Sequence, residues 1–207
     1  MVSFAQTLAR KDDRPTEDQI IVLRGLTWAD FERLLAARGD RSLPRMAYLE
    51  GAIELMNPSR YHESLKSRIG CLVEAYCSFT GIEFETVGSW TLKREEEERA
   101  VEPDECYIFG VQDQDRPHLA IEVVWTSGGL DKLEVYRKLD VAEVWYWRLG
   151  RITIHVLRDE AYLQVDRSEV LPEIDLDLLA SFLDRPRASQ AIREYRAALE
   201  AVRPAPR

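Results

Sequence analysis

The run Leu119-Ala120-Ile121-Glu122-Val123-Val124-Trp125 constrains this chain more than any other segment. It is apolar but for one residue and reads as a strand of the buried type. Burying an unpartnered carboxylate is expensive, so Glu122 requires a cation, a base or a proton beside it. Lys132 follows ten residues later, in the first turn of the next predicted helix. Asp104, after Pro103, enters a second apolar strand, Cys106-Tyr107-Ile108-Phe109. Two carboxylates at neighbouring strand ends with an ammonium nearby make a site for a hard cation. Mg²⁺ is held in this way, by one or two carboxylates plus waters and phosphate oxygens.

The rest of the chain reads as alternating helices and strands. Thr27 is an N-cap for a helix in which Trp28, Phe31, Leu34 and Leu35 recur at helical spacing. Met46–Leu49 and Ile53–Met56 flank Glu50-Gly51 as a hairpin. Asn57-Pro58-Ser59 then leads to the clearest helix, with His62, Leu65, Ile69, Leu72, Val73 and Tyr76 on one face and Gly81 as its stop. Strands are expected over 83–87, 89–93, 106–109, 119–125, 143–147, 152–157 and 162–165, and helices over 131–139, 175–183 and 189–202. The run Glu95–Glu98 is expected to be a solvated hairpin tip. This order predicts one α/β domain with a mixed β-sheet flanked by helices, over residues 26–185. A loose N-terminal arm (1–25) and a C-terminal helix and tail (186–207) complete it.

The length of 207 residues suits a single domain. No apolar run approaches the roughly 20 residues of a membrane-spanning helix, and Met1–Pro15 lacks the apolar stretch of a secretory signal. Cys71, Cys77 and Cys106 cannot all pair and show no metal-ligand spacing. A reduced cytoplasmic protein is therefore expected. The net charge of -9 argues against a protein that coats DNA, but not against an enzyme that meets nucleic acid at a local patch. From Arg185 to Arg207 the sign reverses, which reads as a solvated helix and tail.

Larger motifs resemble a known family. EPDECYIF (Glu102–Phe109) and LAIEVVWTSGGLDKLEVYRKLDVAEVWYWRLGRI (Leu119–Ile152), with YLEGAIELMNPSRYHE (Tyr48–Glu63) and GSWTLKRE (Gly88–Glu95), are similar to a restriction-endonuclease family abundant in cyanobacteria and other bacteria. The resemblance implies a variant PD-(D/E)XK nuclease core: a restriction-endonuclease-like α/β fold. Pro103-Asp104 matches the PD and Glu122 the acidic residue. Val124 stands where the standard lysine would be, and Lys132 on the following helix takes that place. His62-Glu63 matches a recurrent pair, which makes Glu63 an additional acidic site residue. Many relatives carry a glutamate where Ala47 stands here. The implied activity is metal-dependent phosphodiester hydrolysis, with DNA as the expected substrate. Asp104, Glu122 and the Val123 carbonyl would hold Mg²⁺, with Mn²⁺ as an alternative, while Lys132 assists the attacking water.

Other features read more plainly. Trp125, Trp145, Tyr146 and Trp147 could stack on bases, but aromatics on strands are more often core or dimer contact. A homodimer is expected from Trp145 and Trp147, read as exposed. Thr126–Gly129 lacks a phosphate-loop pattern and is expected to be a flexible loop beside the site. Two competing functions stand against the nuclease. One is a catalytically silent nucleic-acid-binding or dimerisation module; the other is a carboxylate-pair glycosidase, which gives Lys132 no purpose.

Overall fold

The computed structural model describes residues 17–88, 90–110, 115–125 and 127–202. The elements in chain order are β1 (Gln19–Arg24), α1 (Trp28–Arg38), β2 (Arg45–Leu49), β3 (Ala52–Asn57), α2 (Arg60–Thr80), β4 (Phe84–Thr86), β5 (Leu92–Arg94), β6 (Arg99–Val101), β7 (Glu105–Phe109), β8 (Leu119–Val123), α3 (Lys132–Lys138), β9 (Glu143–Arg148), β10 (Arg151–Arg158), β11 (Ala161–Val165), α4 (Leu176–Ala180) and α5 (Ala188–Val202). Among them no helix is long and apolar enough to cross a membrane.

Local chemistry places the helices that matter. Thr27 and Asp30 form a reciprocal capping box on α1, each side chain bonding the other's backbone N–H. Ser59 caps α2 by accepting from the His62 N–H at 3.2 Å, and Gly81 ends it in the left-handed region at φ 77°. Asp131 caps α3 through the Glu134 N–H, which fixes Lys132 in its first turn.

The strands form two sheets. The larger, in the order β11-β10-β9-β8-β7-β4, is the expected mixed sheet: β8 and β9 are parallel and the other pairs antiparallel. The smaller, β1-β3-β2-β6-β5, is antiparallel throughout and was not foreseen as a separate sheet. Every residue of β8 is buried, as its apolar run requires. The main core packs α2, α4 and α5 against one face of the large sheet, around Leu119, Ile121, Trp145 and Tyr195. Complete burial of an aliphatic side chain such as Leu119 or Ile121 contributes about 1.5–3 kcal/mol. A second core joins α3 (Val135, Tyr136) to both sheets, through Ala47 and Val101 of the small one and Ala120 and Val144 of the large one. A third seats α1 on the small sheet through Phe31, Tyr48 and Ile53.

Four expectations change. Residues 19–24 of the predicted loose arm pair with β3 as an edge strand, and Asp18 before them is buried; residues 1–16 lie outside the described residues. The C-terminal helix is no solvated appendage, because Ala191 and Tyr195 are fully buried against the main core. Trp145 and Trp147 are buried, so they offer no dimer surface. The Glu95–Glu98 run, by contrast, is the expected hairpin tip: it is unburied and joins β5 to β6, a short strand buried at all three positions that hydropathy alone did not reveal. Of the predicted strand 89–93, Leu92 and Lys93 belong to β5, and Ser89 lies outside the described residues.

Candidate active site

The register of β7 with β8 pairs Glu105 with Ile121, which brings Asp104 opposite Glu122 where the two strands meet. Both side chains are buried. Asp104 Oδ2 accepts the Val123 N–H at 2.8 Å. Its Oδ1 accepts from the Arg45 guanidinium of β2 and lies 2.9 Å from His62 Nε2 of α2. On its other side, His62 Nδ1 is 3.1 Å from Asp18 Oδ2, while Asp18 Oδ1 accepts the Ser59 N–H at 2.7 Å.

A buried imidazole between two carboxylates is an electrostatic bridge. Burial alone would depress its pKa, but the hydrogen bonds and charges of Asp104 and Asp18 outweigh it and raise His62 to about 9. Burial likewise pushes Asp104 up, yet His62, Arg45 and the Val123 amide overcome it and hold the carboxyl at about 2. At neutral pH His62 is therefore an imidazolium and Asp104 a carboxylate.

Glu122 is held from the other side. It accepts a short hydrogen bond from the Tyr136 hydroxyl, and Lys132 Nζ lies 3.6 Å from its Oε2. The same ammonium is 3.5 Å from Glu54 Oε1 of β3. Burial raises the Glu122 carboxyl, with Lys132 opposing. Burial would also depress Lys132, but Glu122, Glu54 and Asp104 hold it above its ordinary value, so it remains charged.

Sequence reasoning missed Arg45, Asp18, Tyr136 and Lys66, and above all the carboxylate of Glu54. Glu54 is 3% exposed, and the register of β2 with β3 sets it directly opposite Ala47. Directly opposed residues of an antiparallel pair share one face, so Glu54 delivers a carboxylate to the face of the hairpin on which Ala47 has none. The signal was available: Glu54 stands alone within Ala52-Ile53-Glu54-Leu55-Met56, as Glu122 does in its own strand. Its Oε2 accepts the Leu130 N–H at 2.6 Å, and a Cβ at Gly129 would collide with its carboxylate. The end of the predicted flexible loop is therefore a seat for Glu54; Thr126, its first residue, lies outside the described residues.

The remaining expected residues sit close by. Glu63, half-buried on α2, accepts from Arg45 at 2.7 Å and lies 3.8 Å from Lys66. Lys66 donates to the Asp104 carbonyl at 3.2 Å. Val123 meets the site through its N–H, which Asp104 accepts. Among the described residues no three acidic, histidine or cysteine side chains converge tightly enough to enclose a metal ion. The carboxylates of Asp104, Glu122 and Glu54 instead bracket the cations Arg45 and Lys132. Buried carboxylate oxygens are the donors a hard divalent ion takes, although Arg45 and Lys132 already offset part of their charge. To that extent the residues fit Mg²⁺ or Mn²⁺.

The model of the Uma2 family, described as "putative restriction endonuclease", matches residues 28–184. That span runs from α1 to just beyond α4 and includes Glu54, Glu63, Asp104, Glu122 and Lys132. No curated protein matches the chain.

Proposed function

The chain belongs to the Uma2 family of restriction-endonuclease-like proteins, and we propose that it is a metal-dependent endonuclease that hydrolyses phosphodiester bonds in DNA through a variant PD-(D/E)XK site. The observation that carries this reading is the placement of Lys132. Its ammonium, 3.6 Å from Glu122 and 3.5 Å from Glu54, supplies from a helix the charge that the strand position Val124 lacks.

Asp104 and Glu122, with the Val123 carbonyl and Glu54, would hold Mg²⁺ or Mn²⁺. When bound, such an ion would lower the pKa of a water and offset charge on the phosphoryl oxygens. The protein's own groups do the rest. Lys132 orients the attacking water or stabilises the developing negative charge. Tyr136 fixes the rotamer of Glu122, and His62 with Asp18 fixes that of Asp104. Arg45 and Lys66 place positive charge beside the carboxylates, where the phosphate of a substrate needs it, and Glu63 holds Arg45 in position. Glu54 takes the part of the acid absent at Ala47.

A silent nucleic-acid-binding module is the second reading. It is favoured by one observation: Arg45 and Lys132 already neutralise the carboxylates. Mg²⁺ titration calorimetry with a plasmid-nicking assay, on wild type and Glu122→Gln, separates the two. Binding and nicking by wild type, with neither in the variant, supports the nuclease. A wild type that neither binds Mg²⁺ nor nicks leaves Glu122 as a structural ion-pair residue and the module reading in place.

A further inference from the structure

Beyond Glu122 the chain leaves the buried sheet and builds a different surface. Trp125 stacks between Tyr61 and Trp147, with ring centroids 6.1 and 5.9 Å away and both interplanar angles 13°. The ladder runs from the buried Trp147 to the exposed Tyr61, with Trp125 42% exposed between them. Tyr61 immediately precedes His62, and Trp125 lies three residues beyond Glu122, so the ladder borders the carboxylate site. These rings line a cleft of about 730 Å³, which Leu65, Arg68 and Leu149 help to close.

The β9–β10 turn on the rim of this cleft is unusual in two ways. Leu149 occupies a left-handed conformation (φ 50°) before Gly150 (φ 83°), in a two-residue turn that normally takes Asn-Gly. The leucine carries a conformational cost there and is nevertheless 89% exposed. In addition, Arg148 and Arg151 are direct cross-strand partners, a like-charge pair that repels itself. Neither choice serves the free protein. An apolar tip flanked by two guanidiniums suits a polyanion that also presents flat apolar faces, which is a nucleic-acid strand with unstacked bases.

We infer that this cleft is a nucleobase subsite: an unpaired base of the substrate stacks on Tyr61 and Trp125 against Leu149, while Arg148 and Arg151 meet the flanking phosphates. The inference rests on the nuclease reading for its choice of ligand, and it makes single-stranded or locally opened DNA the preferred substrate.

The test is fluorescence anisotropy with a labelled oligothymidylate in EDTA, where cleavage plays no part. The same strand with abasic sites and a blunt duplex serve as comparisons, and a plasmid-nicking assay with Mg²⁺ runs alongside. Wild type should bind the single strand more tightly than either comparison. Trp125→Ala and Tyr61→Ala should each weaken that binding by about 5- to 100-fold, as stacking losses do, and Trp125→Phe should restore most of it. Leu149→Asn, which suits the turn, should weaken binding while leaving the melting temperature unchanged or raised. Arg148→Ala and Arg151→Ala should each reduce the salt slope by about 0.7. Equal affinity for the intact and abasic strands, or unchanged binding by the folded Trp125→Ala and Tyr61→Ala variants, overturns the subsite. Base-dependent binding without nicking would retain the subsite and count against the nuclease. Nicking without base-dependent binding would do the reverse.

Discussion

Exchanging the carboxylates of the β2–β3 hairpin probes the site most directly. Glu54 and Ala47 share one face as cross-strand partners, so the acid can be deleted and then restored from the facing strand. In Glu54→Gln the side-chain carbonyl still accepts from the Leu130 N–H, so the change removes little but charge. At 3.5 Å and an effective dielectric of about 20, the gross attraction between Glu54 and Lys132 is about 5 kcal/mol. Most of that is offset by the desolvation of Glu54 and by its repulsion of the nearby carboxylates, and Lys132 keeps Glu122 as a partner. A net destabilisation of about 1–2 kcal/mol in urea denaturation is expected, within the ordinary range for one substitution. Cleavage should fall far more, by about 100-fold or greater, as expected when charge is removed from a preorganised site. Ala47→Glu combined with Glu54→Ala conserves volume across the pair and returns a carboxylate to that face; it should recover a measurable part of the lost plasmid nicking. If folded Glu54→Gln nicks at the wild-type rate, Glu54 is only a counter-ion for Lys132 and the reasoning fails.

Three further outcomes follow from the same geometry. His62 is raised from 6.5 to about 9, so its contribution to stability is complete below pH 6.5 and is lost as pH rises through 9. Asp104 is lowered from 3.8 to about 2, so its contribution is present above 3.8 and is lost as pH falls towards 2. The metal-free protein should therefore show its highest melting temperature between these limits, and His62→Asn should flatten the alkaline limb; an unchanged limb would remove His62 as the titrating group. Gly129→Ala forces a methyl group onto the Glu54 carboxylate and should cost about 1–3 kcal/mol, with nicking reduced in parallel; a variant as stable and active as wild type would show that the loop does not seat Glu54. Tyr136→Phe strips the buried Glu122 of its hydroxyl donor and should cost about 1–3 kcal/mol in thermal or urea melts, an expectation that an unchanged melt would refute.

Much of this architecture was legible because it is written in local chemistry. Thr27, Ser59, Gly81 and Asp131 punctuate their helices as capping rules require. The apolar run around Glu122 is buried at every strand position. Asp104, Glu122 and Lys132, scattered over 29 positions of sequence, meet through one strand register and one helix cap. What escaped is non-local. β1 is a strand because β3 offers it an edge, and its own residues are largely exposed and unremarkable. The burial of the two β9 tryptophans is not legible in alternation, which cannot show that both faces of a sheet are covered. Glu54 went unnoticed because its partner, Lys132, arrives from 78 residues away.

The edge strand has one more consequence. Asp18 stands immediately before β1 and ten residues outside the segment matched by the family model, yet it supplies half of the negative charge around the His62 imidazolium. The backbone ladder that ties β1 to β3 thus also clamps a counter-ion onto the floor of the carboxylate cluster. Peeling that strand away would leave His62 facing Asp104 alone and loosen the aspartate's orientation without touching any residue of the carboxylate cluster. The outermost strand of the small sheet is a latch on the electrostatics at its centre, and an expression boundary drawn at the family's edge would cut it off.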